Sequence, residues 1–155
     1  MFTIHLQPSV IALQQRIIKA LEPRTGIHVF ISERVTIIHF IDSDVIHTGD
    51  MFRTVAFPVI DRNNGGTLPG TVAALGVLAG MAGPRTKILP GHGVVSSRAD
   101  VIEFRDMVIT VADRVRELVE QGKSYEQVVQ ARPTREFETK WGDPNRFLTA
   151  IYAEL

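Results

Sequence analysis

The chain has 155 residues and a mass of 17.2 kDa, with 45% hydrophobic and 22% charged residues, the composition of one globular domain and not of a disordered segment. Seventeen basic residues balance seventeen acidic ones, so no global field draws the protein to nucleic acid or to an anionic membrane. Cysteine is absent, which excludes disulfides, thiolate zinc sites and a cysteine nucleophile.

Met1-Phe-Thr-Ile-His-Leu-Gln-Pro8 has neither a charged leader nor a long apolar run, and predicts no secretory signal. The longest apolar stretches, such as Val72 to Met81, are too short to span a bilayer. These features point to a cytoplasmic domain with no nucleic-acid or membrane partner.

Pro8 to Leu21 places Val10, Leu13, Ile17, Ile18 and Leu21 at helical spacing and stops before Pro23. Gly26 to Ile31 and Arg34 to Ile41 are rich in β-branched and aromatic residues and predict two strands, separated by Ser32-Glu33. Asp42-Ser-Asp44 is a turn, and Val45 to Thr48 a short strand leading to Gly49-Asp50. Phe52 to Ile60 is extended but interrupted by Pro58, so it reads as an edge segment or an ordered loop.

Asn63-Asn-Gly-Gly66 is a turn, because these residues tolerate positive φ at little cost. A helix rich in Ala and Gly follows from Pro69 to Met81, closed by Gly83-Pro84. Thr86 to Leu89 is the next strand and ends in Pro90-Gly-His-Gly93.

Ser97, paired with Asp100 in a variant of the capping box, opens a long helix running to Gln121. Its buried stripe is Val101, Phe104, Val108, Val111, Val115 and Leu118, and Gly122 stops it. Ser124-Tyr-Glu-Gln127 caps a second helix ending near Arg132-Pro133. Asp143-Pro144 opens the last, with proline in the first turn where its missing N–H costs nothing. Helix, strands, helix, strand and three helices make an α/β layer architecture within a single domain spanning 1–155.

Two strand-end turns lift a metal-capable side chain from the sheet edge: Asp50, in Asp44-Val-Ile-His-Thr-Gly-Asp50, and His92, in Leu89-Pro-Gly-His-Gly93. By spacing alone Asp50 also suits an Asx-turn or a cap, and His92 an exposed loop position. Of the other histidines, His39 reads as a strand residue with a satisfied ring, His47 as packed or hydrogen-bonded within the sheet, and His5 as solvated. Arg98, Asp100 and Arg105 read as a solvated helix start, and Trp141 as a packing anchor for the final helix.

From about Val35 onward the chain resembles the C-terminal half of metallo-β-lactamase-superfamily proteins, in particular cyclase or glyoxalase-like hydrolases. The resemblance is carried by Asp44-Val-Ile-His-Thr-Gly-Asp-Met-Phe52, Phe57-Pro-Val-Ile-Asp61, Asn64-Gly-Gly66, Thr86-Lys-Ile-Leu-Pro-Gly-His-Gly93, Ser97-Arg-Ala-Asp100 and Trp141 to Tyr152. It implies half of an αββα sandwich, one sheet with helices on its outer face. Residues 1–33 would be a divergent N-terminal helix and strand, and 34–155 the family-like half. It also implies metal ligation by Asp50, bridging two ions, and by His92 on the second ion. Zinc or another divalent metal would be the cofactor.

The chain departs from the family in its metal ligands. The family's His-x-His-x-Asp-His motif occurs nowhere: the histidines are His5, His28, His39, His47 and His92. The family's further His-Thr-x-Gly-Asp ligand segment would fall at Ile31-Ser-Glu-Arg-Val35, with Ile31 at the ligand position and His28 three residues before it. A catalytic zinc takes three protein ligands and a water, and two-metal hydrolysis needs more.

The expectation is therefore a truncated protein of hydrolase ancestry that lacks a complete metal site and is inactive or repurposed. A homodimer or another partner would cover the open sheet face. Two alternatives stand beside it. One is a metal-dependent hydrolase completed in trans by a second copy or a partner chain. The other is a decayed gene product or a small-ligand module. The substrate is not legible.

Overall fold

The computed structural model describes residues 26–31 and 36–155. The helix expected over Pro8 to Leu21, and His5, lie outside the described residues. The elements are β1 (Ile27–Ile31), β2 (Thr36–Phe40), β3 (Val45–His47), α1 (Leu68–Met81), β4 (Lys87–Leu89), α2 (Arg98–Glu120), α3 (Tyr125–Ala131), α4 (Glu138–Trp141) and α5 (Asn145–Tyr152). Short 3-10 turns lie at Gly49–Met51 and Arg62–Asn64. The architecture is α/β, as the element order predicts.

The strands form one mixed sheet in the order β1-β2-β3-β4. β1, β2 and β3 pair antiparallel, whereas β3 and β4 run parallel and are joined through the α1 crossover. Paired residues share a face, so the row His39–Ile46–Ile88 and Ile37 look one way, and the row Ile38–His47–Leu89 the other. Ile37, Ile46 and Ile88 are fully buried and join the helical side chains in a single core. On the opposite face His47 and Lys87 are exposed and Phe40 is 37% exposed.

α1 packs against α2, and its Leu75, Leu78 and Ala79 are buried. Arg98 Nε donates to the Ala79 carbonyl at 2.8 Å and clasps the two helices. This arginine therefore does more than solvate a helix start. Thr67 caps α1 through Gly70 N, and the Glu154 carboxylate accepts from Leu68 N at 3.0 and 2.8 Å. Both expected capping boxes form, Ser97 with Asp100 on α2 and Ser124 with Gln127 on α3.

The stripe Val101, Phe104, Val108, Val111 and Val115 is buried, while Leu118 packs at its margin. Pro144 is the N-cap of α5, one position before the first turn in which the sequence places it, and Asp143 Oδ1 accepts from Asn145 N at 3.0 Å.

Phe52 to Ile60 is an ordered loop, with Arg53 alone making an isolated bridge, to His92. Aromatic packing holds it in place. Phe52 meets Phe104 edge-on at 5.4 Å, and Phe57 stacks on Phe147 at 5.7 Å. Phe57 N also donates to the Trp141 carbonyl at 3.2 Å. Trp141 is buried, and its ring contacts are with Phe57 of this loop, Phe104 of α2 and Phe137, where the sequence predicts an anchor for the final helix. The short α4 that carries it has no apolar periodicity to announce it. No helix of the described residues is long and apolar enough to cross a membrane.

Candidate functional site

β3 and β4 run in the same direction, so the turns that follow them emerge side by side at one edge of the sheet. Thr48 N donates to the Leu89 carbonyl at 3.1 Å, and Gly91 N to the Gly49 carbonyl at 2.7 Å. Gly49 adopts φ +54, a left-handed conformation that glycine reaches without steric cost. At Gly91 the demand is space: a Cβ would collide with Asp50 Oδ1 and lie 2.6 Å from the Gly49 carbonyl carbon. The Gly-flanked spacing of both turns thus acts to bring two backbones into contact.

That contact joins the two predicted residues. His92 Nε2 lies 3.2 Å from Asp50 Oδ1, and the side chains are 60% and 65% exposed. Two donors this close can either form an ion pair or share one cation. The second carboxylate oxygen of Asp50 faces Arg53 Nη2 at 3.8 Å. A guanidinium there opposes a second cation at the same carboxylate. The only mark of Arg53 in the sequence is its position three residues after Asp50.

The side chains present do not fit a two-metal centre. Among the described residues no group of three His, Cys, Asp or Glu side chains converges. His28 lies on β1 opposite His39, which in turn pairs with Ile46, so two strands separate its backbone from β4. His47 is exposed on β3, not packed within the sheet.

His39 also departs from expectation. Its Nε2 is buried without a hydrogen-bond partner, and the nearest carboxylate, Asp44 Oδ1, is 3.9 Å away. Asp44 itself adopts φ +52 and accepts from Thr86 Oγ1 at 2.6 Å, while Thr86 Oγ1 accepts from Gly83 N at 2.8 Å. This chain ties the β2–β3 turn to the loop before β4.

Asp100 is committed to structure. Hydrogen bonds from the Ser97 hydroxyl and then the Ser97 backbone N–H hold its carboxyl below the usual carboxylate range. No family model and no curated protein sequence matches the chain.

Proposed function

We propose that the chain is a metallo-β-lactamase-like half-domain of hydrolase ancestry that keeps Asp50 and His92 from a two-metal site, no longer catalyses hydrolysis by itself, and acts as a self-associating module. One observation carries this reading. The turns after adjacent parallel strands bring Asp50 and His92 to 3.2 Å, with Arg53 against the carboxylate and no third ligand among the described residues.

Self-association is supported by the sheet face opposite the core. There Ile38, Phe40, Val45 and Leu89 lie in register across three strands, and a second copy would extend the apolar layer. A cytoplasmic setting belongs to the same proposal.

Metal content and solution mass, measured on one preparation, test it. The expected result is a dimer that retains no stoichiometric zinc, manganese or iron after dialysis. A clean monomer at micromolar concentration would overturn self-association, and tight binding of one or more ions per chain would overturn the loss of the metal site.

A second reading, a metal-dependent hydrolase completed in trans, is favoured by the exposure of both side chains, which leaves them open to ligands from another chain. It predicts stoichiometric metal that Asp50→Ala and His92→Ala both abolish.

A further inference from the structure

A cleft of about 310 Å³ opens beside the Asp50–His92 turns, between the loop 52–55, the segment 94–96 and the start of α2. That volume lies at the small end of ligand pockets. Buried Phe104 and Trp141 contribute to its walls. Its rim is apolar and open, with Val55 59%, Val94 71% and Val95 58% exposed. Neither Asp50 nor His92 lines it.

The charged groups of the cleft are unequally committed. The Asp100 carboxylate accepts from Ser97 N at 2.8 Å and Ser97 Oγ at 2.7 Å. Lys140 Nζ donates to Glu103 at 2.6 Å and sits 4.9 Å over the Trp141 ring. Arg53 differs: its side chain is only 17% exposed, and its Nε–H is buried with no acceptor. Its nearest anion, Asp50 Oδ2, stands 3.8 Å from Nη2, beyond hydrogen-bond reach. A buried guanidinium N–H without an acceptor is costly, and Arg53 is among the residues that line the cleft.

We propose that this cleft binds a small amphipathic monocarboxylate, its carboxylate on the Arg53 guanidinium and its hydrocarbon tail under Val55, Val94 and Val95. The planar guanidinium fork matches a carboxylate. The Asp100 carboxylate at the same cleft disfavours a dianion such as a phosphate monoester. The tail covers apolar surface that otherwise faces water. The proposal goes beyond the reading of Asp50 and His92 and holds whether or not those residues bind metal.

The test titrates octanoate, octan-1-ol and acetate separately into ¹⁵N-labelled full-length protein. Octanoate is expected to give saturable amide shifts at 53–55 and 94–96, whereas octanol (tail without charge) and acetate (charge without tail) bind at least roughly tenfold more weakly. Arg53→Met is expected to lose roughly tenfold or more in octanoate affinity, and Arg53→Lys to recover part of it. Should Arg53→Met fail to fold, Val94→Asp serves instead. It alters a side chain 71% exposed and is expected to repel the ligand without touching the core.

Octanol binding as tightly as octanoate would overturn the proposal. So would wild-type octanoate affinity in a folded Arg53→Met or in Val94→Asp, or the absence of saturable shifts.

Discussion

Replacing Gly91 with alanine tests whether the two turns are held in direct backbone contact. The added Cβ would lie 2.6 Å from the carbonyl carbon of Gly49 and 2.7 Å from its oxygen, besides striking Asp50 Oδ1. Ordinary contact begins near 3.4 Å, so the turns must part by about 0.8 Å. The Gly91 N to Gly49 O hydrogen bond, now 2.7 Å, would then stretch to about 3.5 Å, the limit of such a bond.

Losing that bond costs about 1 kcal/mol, and the forced backbone strain a further 1–3 kcal/mol, together about 2–4 kcal/mol. For a chain of this size that corresponds to a fall of roughly 5–15 °C in Tm. Gly91 is not among the glycines with positive φ, so the effect isolates crowding from backbone conformation.

Gly76→Ala in α1 is the matched control. Nothing lies within 4 Å of its added Cβ, and a helical alanine should raise stability by about 0.5–1 kcal/mol. Urea denaturation followed by circular dichroism reads both variants, and amide shifts at 48–54 and 89–93 report whether the turns separate. A Gly91→Ala protein within about 0.5 kcal/mol of wild type, with those shifts unchanged, would refute the contact.

Thr86→Val should destabilise the fold by about 1–3 kcal/mol in the same denaturation assay. It removes the hydroxyl that links Asp44 to Gly83 N while keeping the shape of a 4% exposed side chain. Ser97→Ala should cost about 1 kcal/mol through loss of the α2 cap. Asp100→Asn should be destabilising at pH 7. Because hydrogen bonds from Ser97 hold the folded carboxyl below the ordinary aspartate range, its contribution is present above that range and is lost as pH falls through the folded pKa, so the gap to wild type should close in acid. Trp141→Ala should cost about 3–5 kcal/mol, since it empties the space shared by Phe57, Phe104 and Phe137. Loss of less than about 1 kcal/mol there would contradict its role as the anchor of the 52–60 loop.

The helices were legible because their signals are local. Ser97 with Asp100, Ser124 with Gln127 and the valine stripe of α2 each lie within a turn or two of one another, and the structure keeps them with shifts of one residue. The two Gly-flanked strand ends mark Asp50 and His92 as exposed turn residues, but spacing alone does not bring them together; only the family resemblance implies that they meet. The ring of His39 was misread because alternation along a strand shows which face a side chain takes, but not whether a partner comes within reach.

The role of Arg98 and the presence of Arg53 at the site escape the sequence for a related reason. The acceptor of Arg98, the Ala79 carbonyl, is 19 positions away, and the burial of Arg53 depends on segments distant in the chain. Helix α4 is four residues long and carries no pattern; tertiary packing around Trp141 decides it.

The parallel pairing of β3 with β4 also dictates an order of events. β1, β2 and β3 are sequential antiparallel neighbours, whereas the Thr48–Leu89 hydrogen bond closes a span of 41 positions. Closing such a span costs about 3 kcal/mol in chain entropy before any contact rewards it. The strand ends bearing Asp50 and His92 therefore meet only when the α1 crossover has docked, late on the folding path. In refolding, the approach of these two side chains should coincide with the final rise in native signal, a built-in clock for closure of the domain.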